Sequence, residues 1–337
     1  MNTIPTIFNA QTPSYTAVGG KERHASTGLS AVLMNRNGHY SRRAIFQDLE
    51  KNGFDYVISM ERKGRYDVEE LSGRFPFVRF ILLPQDLSPG EQINLAACEL
   101  SSPLFFVLWN DLKIITGGGA GRIAGRLCLS QEELKKTGGN TGACGRLCTV
   151  PVIQNTRCEI LPTLTAPAVS RGNVKPLIFS PQKEGLPSLY PFDSVGVYDR
   201  ERFIRLGGFD TTLKNPYWQL MDFGFRACLW GEEIRVTQQL KLSREGEFPV
   251  ADNTPDESYR RFYLKNLALV FHSDYAHLPL RRFFGYLRRS GVDPFSAWEE
   301  FSQARRWVKI NRYRFRSDAR MVNELWEDIE AAQAAGP

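Results

Sequence analysis

The chain has 337 residues, 42% hydrophobic and 24% charged, the balance of a soluble globular protein with one large or two modest domains. No apolar run approaches the roughly 20 residues of a membrane span and no charged-then-apolar leader opens the chain, so neither a transmembrane helix nor a secretory signal is expected. The net charge of +6 is mildly basic, and much of the excess falls late, in Arg281-Arg282, Arg288-Arg289, Arg305-Arg306 and between Arg312 and Arg320.

Such a basic tail suits an anionic lipid or a phosphorylated substrate. No nucleic-acid motif accompanies it. The expectation is a solvated helical face or peripheral contact with a membrane, with no nucleic-acid partner. Six cysteines do not make a disulfide scaffold in a chain of this length. Cys128, Cys144, Cys148 and Cys158 cluster, but they lack the paired spacing of structural zinc sites and have no histidine among them. Buried free thiols and a reduced cytoplasmic compartment follow, including the inner face of the membrane if the basic helices bind there.

Residues 1–27 are polar and read as a loose arm or an edge strand. From residue 28 strands and helices alternate. Residues 29–36 form an apolar strand, and 41–53 an amphipathic helix with Ser41 as N-cap and Gly53 at its end. Residues 54–61 and 78–84 are further strands. Residues 88–101 form a helix with Pro89 in its first turn and Glu91 near its positive end. Residues 103–114 make a fourth strand. This alternation predicts an α/β fold, a mostly parallel sheet flanked by helices. Ligands on such sheets bind outside the carboxyl ends of the strands, which places Asn35, Arg36, Glu61 and Trp109-Asn110-Asp111 around one mouth.

From residue 116 the rhythm breaks. Residues 116–187 are rich in Gly, Pro and Thr and read as an irregular insertion of loops and short strands that folds over a ligand. Gly117-Gly118-Gly119 lacks the Lys-Ser/Thr of a phosphate loop. Residues 190–210 predict a short strand, a helix from Arg200 and a Gly-Gly turn. Asp222 and Arg226 share one face of the next helix, which closes at Gly231. Residues 264–274 read as a last strand ending at His272. Helices over 279–290, 294–308 and 317–334 form a C-terminal extension.

Leu206-Gly207-Gly208-Phe209-Asp210, followed by Trp218, Asp222, Arg226 and Trp230-Gly231-Glu232-Glu233-Ile234, resembles the acceptor-side motif of glycosyltransferases with the nucleotide-sugar-binding GT-A fold. The likeness is to the family 2 and galactosyltransferase-like branches, over roughly residues 28–115 and 190–275. It implies a nucleotide-binding half (28–115), the insertion (116–187), an acceptor-binding half (188–275) and a helical C-terminus (276–337). It also implies transfer of a sugar from a nucleoside diphosphate donor, UDP-linked, to a glycan, lipid-linked or protein acceptor.

In that family the fourth strand ends in Asp-x-Asp, whose last carboxylate holds a divalent cation, manganese or magnesium, against the diphosphate. Here Asp111 matches the last Asp and Trp109 stands in place of the first. Asn110 and Lys113 are the polar neighbours. The helix at 90–97 resembles the family's donor-side helix and brings Asn94 to the site. Asn35, Arg36 and Glu61 match nucleotide-contacting positions, and His272 matches a late metal-ligating histidine. On the acceptor side Gln219 takes the family's Glu position, Leu220 its base position, and Asp222 a later Asp. A leucine accepts no proton, so Asp222 or Asp210 is the candidate base, with Trp218, Gln219 and Arg226 contacting the acceptor. A GT-A-like protein that binds a nucleotide sugar or glycan without turnover stays open, as does a nucleotidyltransferase.

Overall fold

The computed structural model describes residues 13–20, 26–36, 40–62, 67–136, 145–170, 173–246, 248 and 250–323. The first half runs β1 (Thr16–Gly19), β2 (Leu29–Met34), α1 (Arg42–Lys51), β3 (Val57–Arg62), α2 (Val68–Arg74), β4 (Val78–Leu83), α3 (Pro89–Glu99) and β5 (Leu104–Trp109). Local chemistry sets these boundaries. Ser41 caps α1 through its side chain, accepting from the Ala44 amide. Ser88 and Glu91 form a reciprocal capping box on α3, with Pro89 in the first turn. Every residue of β2 and of β5 is buried, the mark of strands covered on both faces.

The chain continues through β6 (Leu112–Ile114), α4 (Gly119–Lys136), β7 (Cys148–Gln154), β8 (Leu164–Ser170), β9 (Asn173–Phe179), β10 (Gly196–Asp199), α5 (Arg200–Leu206), α6 (Pro216–Leu229) and β11 (Ile234–Arg244). Nine strands form one sheet in the order β1-β4-β3-β2-β5-β10-β7-β11-β6. β4, β3, β2 and β5 are mutually parallel. β10 runs antiparallel to both β5 and β7, and β7 is parallel to β11, so six strands share one direction. The exceptions are β10 and the two edge strands β1 and β6. The arm expected at residues 1–27 thus contributes an edge strand; residues 1–12 lie outside the described part.

Three sequence expectations are revised. The strand expected over 103–114 breaks at Asn110 and Asp111. β5 stays central, while β6 crosses to the far edge and pairs with β11. The 116–187 segment, expected as loops and short strands, supplies the 18-residue helix α4, a buried strand inside the main sheet, and the separate hairpin β8–β9. Pro151 hid β7, because proline lacks a ladder donor. β10 pairs with β7 only at Cys148 and Thr149, and β11 shifts register just beyond the Thr237–Pro151 pair, so the missing N–H is accommodated. The strand expected over 264–274 is mostly helical. α7 (Glu257–Phe262) widens into a π-turn over Tyr263–Leu267, and only β12 (Val270–His272) is extended, pairing with β13 (Tyr275–His277).

The C-terminal part packs as α8 (Arg282–Ser290) and α9 (Pro294–Asn311) around Phe301, Tyr286 and Ala297. Most of the helix expected over 317–334, with Trp326, lies outside the described residues. In the main core an aromatic cluster ties the sheet centre to α5 and α6. Phe105 stacks on Tyr198 at 5.1 Å and Phe209 on Phe223 at 4.4 Å. That cluster fixes the Gly-Gly turn against the sheet.

Candidate functional site at the carboxyl ends of the sheet

Because β3, β2 and β5 are parallel neighbours, Glu61, Asn35-Arg36 and Asn110-Asp111 fall in a row along one edge. Asn35 donates through Nδ2 to the Met60 carbonyl at 2.8 Å and to Glu61 Oε1 at 3.2 Å. Glu61 is buried, accepts from Ser59 and pairs with Arg42 at 3.3 Å. Asn110 is used twice by the Arg36 backbone, accepting from its N–H at 3.1 Å and donating to its carbonyl at 3.2 Å.

Asp111 stands where the sequence placed it, at the end of the fourth strand of the parallel set, but its neighbours are cations. Oδ2 accepts from Arg36 Nη1 at 2.9 Å and from Arg244 Nη2 at 2.7 Å. Oδ1 is buried and accepts no hydrogen bond among the described residues. Arg36 also pairs with Asp193 and lies 4.1 Å over the Trp109 ring, whose Nε1 donates to the Asp193 carbonyl. Arg244 lies 4.2 Å over the Phe248 ring. Burial raises the Asp193 carboxyl above its ordinary value despite the nearby Arg36.

Arg36, Trp109 and Asp193 form one wall of a cavity of about 640 Å³. The hairpin contributes Lys175 and Ile178, and Gly90, Tyr217 and Gln219 line the cavity as well. The cavity therefore runs from the ends of β2 and β5 to the start of α6. Asp193 and Ser194, which precede β10, have φ of 56° and 61°. Consecutive left-handed non-glycine residues are strained and concentrate at functional sites.

The acceptor-side residues separate into two groups. Gln219 reaches the cavity, accepts from the Gly90 N–H at 3.2 Å and donates to the Asp210 and Leu213 carbonyls. Asp222, Asp210 and Arg226 do not line it. Asp222 is fully buried, and Arg226, Lys265 and Asn266 all donate to its carboxylate. Asp210 accepts from Thr212 and, at 2.7 Å, from the same Lys265. Burial opposes the charge on both carboxyls, but Lys265, with Arg261 at Asp210 and Arg226 at Asp222, outweighs it and holds them below the ordinary range. Arg226 also donates to the carbonyls of Leu206 and Gly208 at 2.7 Å each. Gly207 and Gly208, at φ 90° and 60°, turn those carbonyls towards it.

Other expected contacts are likewise structural. Asn94 clamps the Phe209 backbone in both directions, at 2.8 and 2.9 Å, instead of facing a nucleotide. Trp218 is buried against Phe262 and donates to the Thr254 carbonyl, and Tyr217 takes the wall position. His272 stacks on His277 in the β12–β13 ribbon and is not brought to Asp111. Lys113 pairs with the exposed Glu245.

Among the described residues no three His, Cys, Asp or Glu side chains converge as a metal site. The donor set at Asp111 does not fit a protein-held divalent cation, because two guanidiniums occupy one carboxylate oxygen and Asn110 is consumed by backbone. Sequence reasoning missed Asp193, Arg244, Lys175 and Lys265. Only Asp193 leaves a local trace, an acid between aromatics and a serine just before a buried strand.

This sheet, with its mixed second half and α6 packed beside it, is the GT-A fold of glycosyltransferases. Solved structures that resemble it include GalNAc-T7, crystallised with UDP, GalNAc and Mn2+, at 12% identity and TM-score 0.55 over 90% of this chain and 57% of that one. TarS of S. aureus matches at 11% identity and TM-score 0.42, over 82% of this chain and 42% of that one. TarS 1–349 matches at 13% and 0.40, over 89% and 91%. The chain thus spans a little over half the length of the GalNAc-T7 structure. No protein-family model and no curated protein matches the sequence.

Proposed function

We infer that the chain is a glycosyltransferase that takes a sugar from a nucleoside diphosphate donor, UDP-linked, and passes it to a glycan, lipid-linked or protein acceptor. The observation that carries this reading is the continuity of one cavity from Arg36 and Asp193, at the donor strands, to Tyr217 and Gln219 on α6. In it Arg36 and Lys175 meet the diphosphate, and the Tyr217 ring offers an apolar face to the acceptor sugar, while Asn35 and the buried Glu61 lie outside its lining and brace the strand ends beside Arg36. Asp222, Asp210 and Arg226 hold α6 and the Gly-Gly turn in place, and Gln219 links them to α3. The fold's GalNAc-T7 likeness, solved with UDP, supports the donor class.

A second reading, recognition of a nucleotide sugar without turnover, is favoured by the burial of Asp222 and Asp210 behind Lys265. One assay separates the two. The protein is mixed with a panel of sugar nucleotides, with and without simple sugar acceptors, and nucleoside diphosphate release is followed. Sustained acceptor-dependent release identifies a transferase. Binding with no release identifies the binding protein, and neither binding nor release defeats both readings.

The basic C-terminal helices fit contact with an anionic membrane surface. Arg288 and Arg289 close α8, and Phe284 and Phe295 are 74% and 88% exposed beside them in the chain. Among the described residues no helix is long and apolar enough to cross a membrane.

A further inference from the structure

Resting on the reading of the cavity as a nucleoside-diphosphate site, we propose that Arg36, with the buried Arg244 holding the charge of Asp111 behind it, meets the donor diphosphate in place of a divalent cation, so that the donor binds without metal. The two guanidiniums share Asp111 Oδ2, at 2.9 and 2.7 Å, where a cation would take its carboxylate ligand. They also bracket Asp193, Arg36 by a direct pair and Arg244 at 3.8 Å. Two guanidiniums thus face two carboxylates, which balances the cluster. A divalent ion at Asp111 would sit against both guanidiniums and find few other ligands. Trp109 contributes an indole that donates to a carbonyl, and both ends of the Asn110 amide are engaged by Arg36 backbone. Among the described residues, the buried Oδ1 of Asp111 and the Asp193 carboxylate, itself paired to Arg36, are what remains.

Arg36 is instead placed to meet phosphate. Each arginine has its guanidinium over an aromatic ring, Arg36 at 4.1 Å from the Trp109 centroid and Arg244 at 4.2 Å from that of Phe248, and both rings line the cavity. A planar fork fixed in this way matches paired phosphate oxygens without the loss of side-chain freedom a surface arginine would suffer. Arg36 itself faces the cavity, with Lys175 on the hairpin wall as a further cation. An entering diphosphate exchanges with the Asp193 carboxylate for the outer face of Arg36, while Arg244 stays on Asp111 as the inner, buried charge.

The test is titration calorimetry with UDP, in EDTA and again in excess MnCl2, on the wild-type chain and on Arg36→Gln. Arg36 is partly exposed, so its variant keeps the fold more readily than Arg244→Met, which strands a buried carboxylate; circular dichroism verifies folding first. The expected result is UDP binding in EDTA, changed less than about threefold by manganese, and weakened about tenfold or more in Arg36→Gln. Binding that tightens about tenfold or more with manganese overturns the proposal and leaves the donor-site reading standing, as does unchanged affinity in Arg36→Gln. If neither UDP nor any other nucleoside diphosphate binds in either buffer, the reading of the cavity itself fails.

Discussion

Lys265 stands between two buried carboxylates, 2.7 Å from Asp210 and 2.9 Å from Asp222, and it is itself 1% exposed. The π-turn over Tyr263–Leu267 allows Lys265 and Asn266 to reach Asp222 together. Removing one partner of such a network leaves an uncompensated charge, so Lys265→Met is expected to cost about 3–5 kcal/mol in denaturant unfolding. The sign of the pH dependence follows from the lowered carboxyls. Asp210 and Asp222 titrate near 3.9 when unfolded and lower when folded, so their contribution is complete above about pH 4 and is lost as pH falls through the folded values. Without Lys265 that advantage shrinks, so the gap between wild type and variant narrows on acidification. A gap that stays constant as pH is lowered from about 5 to about 2 would show that Lys265 acts by packing alone. Asp222→Asn is expected to lower the melting temperature and weaken donor binding and turnover alike, which calorimetry and diphosphate release can check on one preparation. The Asp222–Arg226 pair was legible in the sequence because the two are one helical turn apart. Lys265 was not, because it comes 43 residues after Asp222 in the chain.

Helix α6 is legible in the same sense: Pro216 opens it and a glycine follows its last turn, both signals carried locally. What the sequence hides is the close approach it makes. A Cβ on Gly224 would meet the Leu189 carbonyl oxygen at 2.5 Å and Tyr190 Cβ at 2.9 Å. Gly224→Ala therefore opposes two effects. Alanine favours a helix interior by about 1 kcal/mol, while overpacking costs about 1–3 kcal/mol. The contact involves backbone that cannot swing away, so a net loss of stability is expected, and a raised melting temperature would contradict this packing. Strand β7 was missed for a related reason. Its membership of the sheet is decided by β10 and β11, far along the chain, while Pro151 argues locally against it. The fourth expected strand was read as continuous because the apolar pattern resumes at Leu112. The partner that separates β6 from β5 is β11, more than a hundred residues later.

Over the whole molecule, the alternation of strands and helices made the first half of the sheet readable, and the row from Glu61 through Asn35 to Asp111 followed from it. The composition of the site did not. Arg244, Lys175 and Asp193 come from three distant segments, and the fold alone brings them to Asp111 and Arg36. The C-terminal helices add an expectation of their own. The chain should sediment with phosphatidylserine-containing vesicles at low salt and not with neutral ones, each near-surface Arg contributing about 1 kcal/mol, and Phe284→Ser with Phe295→Ser should weaken that binding. Absence of sedimentation with either vesicle would remove the membrane contact. The most direct measurement of the central claim is a crystal structure of the chain with UDP. The account predicts the diphosphate in the 640 Å³ cavity within hydrogen-bond distance of Arg36. UDP seated elsewhere, such as the basic groove lined by His277, Arg305 and Lys309, with Arg36 still on Asp193, would contradict it.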